Sequence, residues 1–129
     1  MAYTIGEIAA MTGLTISTLR FYEKNGLLPE VQRTTGNIRI YDDGDLRRIH
    51  MIECMKRTGM PLKDIRIFFE WCQEGDSTID QRYAMLLARK EETERQIAQL
   101  QETLDNINRK CEFYRKAHAA GTTRFRRGS

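Results

Sequence analysis

The sequence predicts a mostly α-helical protein, a winged helix-turn-helix domain followed by one long helix. Three observations predict this. Two short segments with helical apolar spacing are separated by Gly13, a strand-turn-strand pattern occupies residues 31–41, and residues 77–118 contain no Gly or Pro and repeat apolar residues every seven positions.

The elements follow in order. Ile5, Ile8 and Ala9 share one helical face. Gly13 supplies a turn without a Cβ penalty, and Thr15 caps the next helix, with Ser17 and Thr18 in its first turn. Gly26 and then Pro29 end that helix. A helix-turn-helix with Arg20, Lys24 and hydroxyls on its second helix has a geometry suited to the DNA major groove.

The hairpin reads Val31–Arg33, a turn containing Gly36-Asn37, then Ile38–Tyr41. Alternation puts Arg39 and Tyr41 on one face, where both can meet a phosphate backbone. Asp42 caps a third helix to about Thr58, with Asp43 and Asp45 at its positive end. Leu46, Ile49, Ile52 and Met55, joined by Met51 and Cys54, imply burial on more than one side. Pro61 opens a fourth helix over 61–73, rich in Leu62, Ile65, Phe68, Phe69 and Trp71.

The long helix carries two heptad rows. One is Tyr83, Lys90, Ile97, Leu104, Cys111 and His118. The other is Leu86, Thr93, Leu100, Ile107 and Tyr114. Lys90 and Thr93 interrupt an otherwise apolar seam. A helix over residues 76–118 spans roughly 60 Å and needs a partner for that seam, most simply a second copy of the chain. Residues 1–73 thus form one domain, 76–118 a dimerisation helix, and 119–129 a flexible basic tail.

Charge says less than its sum suggests. Arg124, Arg126 and Arg127 account for the whole formal net charge of +3, leaving residues 1–123 neutral. Between Leu14 and Tyr41, Arg20, Lys24, Arg33 and Arg39 stand against only Glu23 and Glu30. Three cysteines, Cys54, Cys72 and Cys111, are widely spaced, which excludes a disulfide framework and a C-x-x-C metal knuckle. No apolar run is long enough to cross a membrane, and Glu7 sits where a signal peptide would be apolar, so the expected compartment is the cytoplasm. No HExxH, GxSxG or phosphate loop points to an enzyme, and no cofactor is expected.

The run TLRFYEKNGLL, the RIY strand and the GMPLKDI segment closely resemble the MerR family of bacterial transcription regulators over residues 3–72. The resemblance implies a homodimer joined through an antiparallel pair of long helices. Such a dimer binds a palindrome in double-stranded promoter DNA and, on meeting an effector, distorts it for RNA polymerase. Matched by position, Thr15, Ser17, Thr18, Arg20 and Tyr22 fall where the family's recognition helix meets DNA, and Arg39 and Tyr41 where its wing meets phosphates. Arg20 has a second reading as the surface partner of Glu23, and Tyr41 as a packed ring offering only its hydroxyl. Leu19 and Phe21 read as core.

Cysteine placement bears on the effector. No thiol stands at the start of the long helix, no Cys or His follows His118, and the chain ends early for a large ligand domain. Cys54 in IHMIECMKRTGM resembles the sensing thiol of the single-cysteine, aldehyde- and electrophile-responsive (NmlR/AdhR-like) subgroup. His50 and Arg57 share its helix face and favour the thiolate, whereas the nearby helix C-terminus opposes it. The competing reading is a small buried hydrophobe. Cys72 and Cys111 read as packing residues. Two alternatives stay open: a metal-ion-responsive regulator, and an architectural DNA-bending protein without an effector.

Overall fold

The computed structural model describes residues 1–28, 32–36 and 38–125, and the backbone alone of Gln32. Pro29, Glu30, Val31, the Asn37 turn position, Arg126 and Arg127 lie outside the described residues.

Helix α1 (Ile5–Thr12) begins at a capping box in which the Thr4 hydroxyl accepts from the Glu7 amide and the Glu7 carboxylate accepts from the Thr4 amide. It ends at Gly13, whose φ of 74° places the turn in the left-handed region. Helix α2 (Ile16–Lys24) starts from the Thr15 cap, and Gly26 turns the chain beyond it at φ 73°. Strands β1 (Gln32–Arg33) and β2 (Arg39–Ile40) pair antiparallel, with Arg33 opposite Arg39. The Thr34 amide donates to the Ile38 carbonyl and closes the ribbon.

The ribbon has a third member that local pattern did not reveal. Tyr3 pairs with Tyr41 through two backbone hydrogen bonds of 2.7 and 2.8 Å. The Tyr3 hydroxyl donates to Asp43 at 2.8 Å, so the segment before α1 is tied to the start of α3.

Helix α3 (Asp43–Arg57) has its own capping box between Asp42 and Asp45, and α4 (Leu62–Glu74) follows with Pro61 as its N-cap residue. A 3-10 turn (Asp76–Thr78) leads into α5 (Ile79–Ala120), which runs unbroken for 42 residues.

The chain divides into two compact units, Met1–Arg89 and Lys90–Ser129. The division falls later than the sequence boundary near residue 73 because Met85 and Leu86, on the first turns of α5, pack against the core of the first unit. That core joins Ile8 of α1, Leu19 and Tyr22 of α2, Ile49, Ile52 and Met55 of α3, and Ile65, Phe68 and Phe69 of α4. Each fully buried aliphatic side chain contributes about 1.5–3 kcal/mol relative to exposure. Arg48 stacks its guanidinium 4.6 Å above the Phe69 ring, which adds a cation–π contact between α3 and α4.

At the α4–α5 joint, Arg82 donates to the Gly75 carbonyl at 2.9 Å and to the Thr78 hydroxyl at 3.1 Å. Thr78 in turn donates to the Trp71 and Gly75 carbonyls. These bonds satisfy acceptors that the end of α4 leaves open.

In the second unit, Ile97, Leu100, Leu104, Ile107, Cys111 and Tyr114 of the heptad rows are exposed. Part of the expected flexible tail is ordered. Ala119 and Ala120 complete α5, Gly121 reverses the chain at φ 73°, and the Phe125 ring lies 5.2 Å from that of Phe113. The reversal leaves the Thr122 amide bonded to the Ala117 carbonyl at 3.1 Å.

Candidate nucleic-acid interface

Helix α2 buries Leu19 and Tyr22 and turns Ser17, Arg20, Phe21 and Lys24 outward, all exposed. At 3.6 residues per turn these four occupy one arc opposite the buried pair. Thr15 is exposed and Thr18 half-buried, but both hydroxyls serve the cap. The Thr15 oxygen accepts from the Thr18 amide at 3.1 Å, and the two hydroxyls are 2.9 Å apart. Arg20 makes no hydrogen bond or ion pair with the described residues. Its alternative partner, Glu23, is engaged elsewhere.

Glu23 turns toward the wing. Its carboxylate accepts a hydrogen bond from the Tyr41 hydroxyl and lies 3.1 Å from Arg39 Nη1. That nitrogen is shielded from solvent without an aligned hydrogen-bond acceptor, so the attraction is an ion pair by proximity. Arg39 and Tyr41 do share a face, but the face looks inward to α2. The Tyr41 ring is 0% exposed, and burial followed by the Glu23 hydrogen bond raises its hydroxyl well above the usual tyrosine range. In the structure Tyr41 takes the packed-ring arrangement, and its hydroxyl fastens β2 to α2.

Tyr22 is buried in the same way. Its ring is 1% exposed, its hydroxyl donates to Glu53, and Lys56 Nζ donates to it at 2.7 Å. Burial and then the Glu53 carboxylate raise the Tyr22 pKa, and the Tyr22 hydroxyl is the main cause of a raised Lys56 pKa. Tyr22 thus locks α2 onto α3. Phe21 moves the opposite way, from expected core to 45% exposed, because Leu19 and Tyr22 already fill the inward face.

A concavity of about 350 Å³ is lined by Thr4 and Ile5 at the start of α1, Arg20 of α2, and Arg33, Ile38 and Arg39 of the ribbon. Three arginines line it beside a helix N-terminus, a composition suited to an oxyanion, although the Arg39 guanidinium is already paired with Glu23. Sequence reasoning counted Arg33 in a local charge excess without placing it. The cross-strand register opposite Arg39 is the signal that locates it.

Cys54 is exposed on α3, against the buried-hydrophobe reading, with exposed His50 and Arg57 one turn to either side. Cys72 is half-buried against the core, with Arg82 Nη1 3.9 Å from its sulfur, and Cys111 is exposed on α5. No group of three or more His, Cys, Asp or Glu side chains is gathered to hold a metal among the described residues. No helix among them is long and apolar enough to cross a membrane.

The helix-turn-helix, its ribbon and the exposed basic arc of α2 define the class of DNA-binding transcription regulators, as the relatives bear out. Residues 3–70 match the MerR HTH family regulatory protein profile, and residues 46–110 match the MerR DNA-binding profile. An uncharacterized HTH-type transcriptional regulator of Haemophilus influenzae is 40% identical over 96% of this chain and 92% of its own. The regulator AdhR of Bacillus subtilis is 38% identical over 64% of this chain and 59% of its own. The solved structure of HiNmlR, a MerR family regulator lacking the sensor domain and bound to promoter DNA, is similar with a TM-score of 0.89. It is 41% identical, covering 95% of this chain and 98% of that one. The chain belongs to the MerR family, on its NmlR/AdhR-like side.

Proposed function

We propose that the chain acts as a cytoplasmic homodimer that binds a palindromic promoter site and activates transcription by distorting the DNA for RNA polymerase, with Cys54 sensing a reactive carbonyl electrophile. The observation that carries the DNA-binding part is the outward arc of α2 with Arg20, unpaired among the described residues, continuous with the concavity shared by Arg33 and Arg39. The exposed apolar heptad row of the second unit supports dimerisation, since a second copy offers the same row. Two copies then meet two symmetric half-sites.

For sensing, the support is the exposure of Cys54, its place in the DNA-binding unit and the similarity to AdhR and HiNmlR. The Cys54 sulfur adds to the carbonyl carbon, and the oxygen takes the proton to give a hemithioacetal. The addition occurs one residue from Glu53, which holds Tyr22 of α2. Transcription from the promoter in vitro, with and without methylglyoxal or formaldehyde, tests this. Wild type responds and Cys54→Ser does not. Equal transcript levels in both proteins under all conditions would exclude the thiol.

A further inference from the structure

From the exposed arc of α2 we infer that Phe21 reads the 5-methyl group of a thymine in each operator half-site. Phe21 is 45% exposed in a helix whose inward face is already filled, and it stands between Ser17 one turn before it and Lys24 less than one turn after it. A phenyl ring has no hydrogen-bonding group, so on this arc it contributes nothing to phosphate or amide recognition. Its gain on binding comes from removing apolar surface from water. The apolar group that a base presents in the major groove is the thymine methyl, which lies at the base edge and distinguishes thymine from cytosine and from both purines.

Neighbouring side chains fix the division of labour. Arg20 supplies charge at the opposite edge of the arc and Lys24 supplies it near the middle, while Ser17 supplies a short hydroxyl near the helix N-terminus. Phe21 lies in the second turn of α2, the sixth of its nine residues, on the exposed side of the helix. Its contact confers sequence preference, which the basic residues facing phosphates do not.

The inference rests on α2 being the DNA-reading helix, and the experiment separates failure of that reading from failure of the Phe21 contact. The probe is the tightest duplex selected by the full-length wild-type protein from a random-sequence pool. Each thymine is then replaced in turn by uracil, which removes the methyl and leaves every hydrogen-bonding group intact. At one thymine per half-site, uracil weakens wild-type binding about fourfold. The same replacement leaves Phe21→Ala binding unchanged, while Phe21→Ala itself binds the thymine duplex more weakly than wild type does. The DNA substitution does not alter the protein, so a folding defect in the variant cannot produce the wild-type uracil effect. If no uracil replacement weakens wild type, or if Phe21→Ala and wild type lose equally, Phe21 does not read a methyl. If Arg20→Ala and Phe21→Ala both bind the selected duplex as wild type does, α2 is not the reading helix, and the inference falls with it.

Discussion

Arg39 of β2 and Glu23 of α2 meet at 3.1 Å, and the same carboxylate accepts the hydroxyl of Tyr41 two residues further along the strand. One acidic side chain therefore sets the wing against the helix that carries Arg20. Two of the few charges near the interface are spent on geometry, which leaves Arg20 without a protein partner among the described residues.

Glu23→Ala separates geometry from charge. Removing an anion near a polyanion strengthens binding if electrostatics alone decide. Here the substitution releases Arg39 and strips Tyr41 of its acceptor, so DNA affinity falls and the folded state loses about 1–3 kcal/mol. Equilibrium binding to promoter DNA and thermal unfolding of the same variant check both. Tighter binding at unchanged stability contradicts the pivot.

Tyr41→Phe tests the buried hydroxyl. The folded protein holds the Tyr41 proton above the pH at which an unfolded tyrosine releases it. Stability from this group is therefore complete below the unfolded pKa, about 10, and is lost as pH climbs from there toward the folded value. At neutral pH, Tyr41→Phe costs about 0.5–2 kcal/mol for the missing hydrogen bond. Above about pH 10 wild type loses stability faster than the variant. Parallel thermal-midpoint curves would show that Tyr41 is not the alkaline-sensitive group.

Leu100→Glu addresses the seam. Leu100 is 68% exposed on the second unit, so a carboxylate there costs the isolated helix little. Across two apposed copies it places charge in an apolar interface. Sedimentation of the variant gives a monomer with weakened promoter binding, against a wild-type dimer. A dimer of wild-type strength would place the interface elsewhere.

Much of the scaffold was legible because its signals are local. The Thr15 and Asp42 caps, Gly13 and Gly26, and the heptads over 83–118 depend on near neighbours in the chain. The Thr4–Glu7 capping box is equally local. What local pattern does not decide is where distant segments compete for one side chain. Alternation put Arg39 and Tyr41 on a common face, but only the position of Glu23 decides that this face is the inner one. Phe21 and Tyr22 are adjacent aromatics, and local spacing did not say which enters the core. The reach of Glu53 and Lys56 from α3 selects Tyr22. The Tyr3–Tyr41 bridge spans nearly the whole winged segment, so no local pattern announces it.

The central claim is that the outward arc of α2, with Arg20 at its flank, is the surface that grips DNA. Titration of Arg20→Ala against a promoter duplex, in parallel with wild type over a range of salt concentrations, tests it most directly. Loss of one guanidinium per protomer weakens binding at least about tenfold at moderate salt. If Arg20 neutralises a phosphate, the dependence of log affinity on log salt also becomes shallower by about one for each contact removed. If Arg20→Ala binds with the affinity and salt dependence of wild type, the grip lies on another surface and the account is wrong.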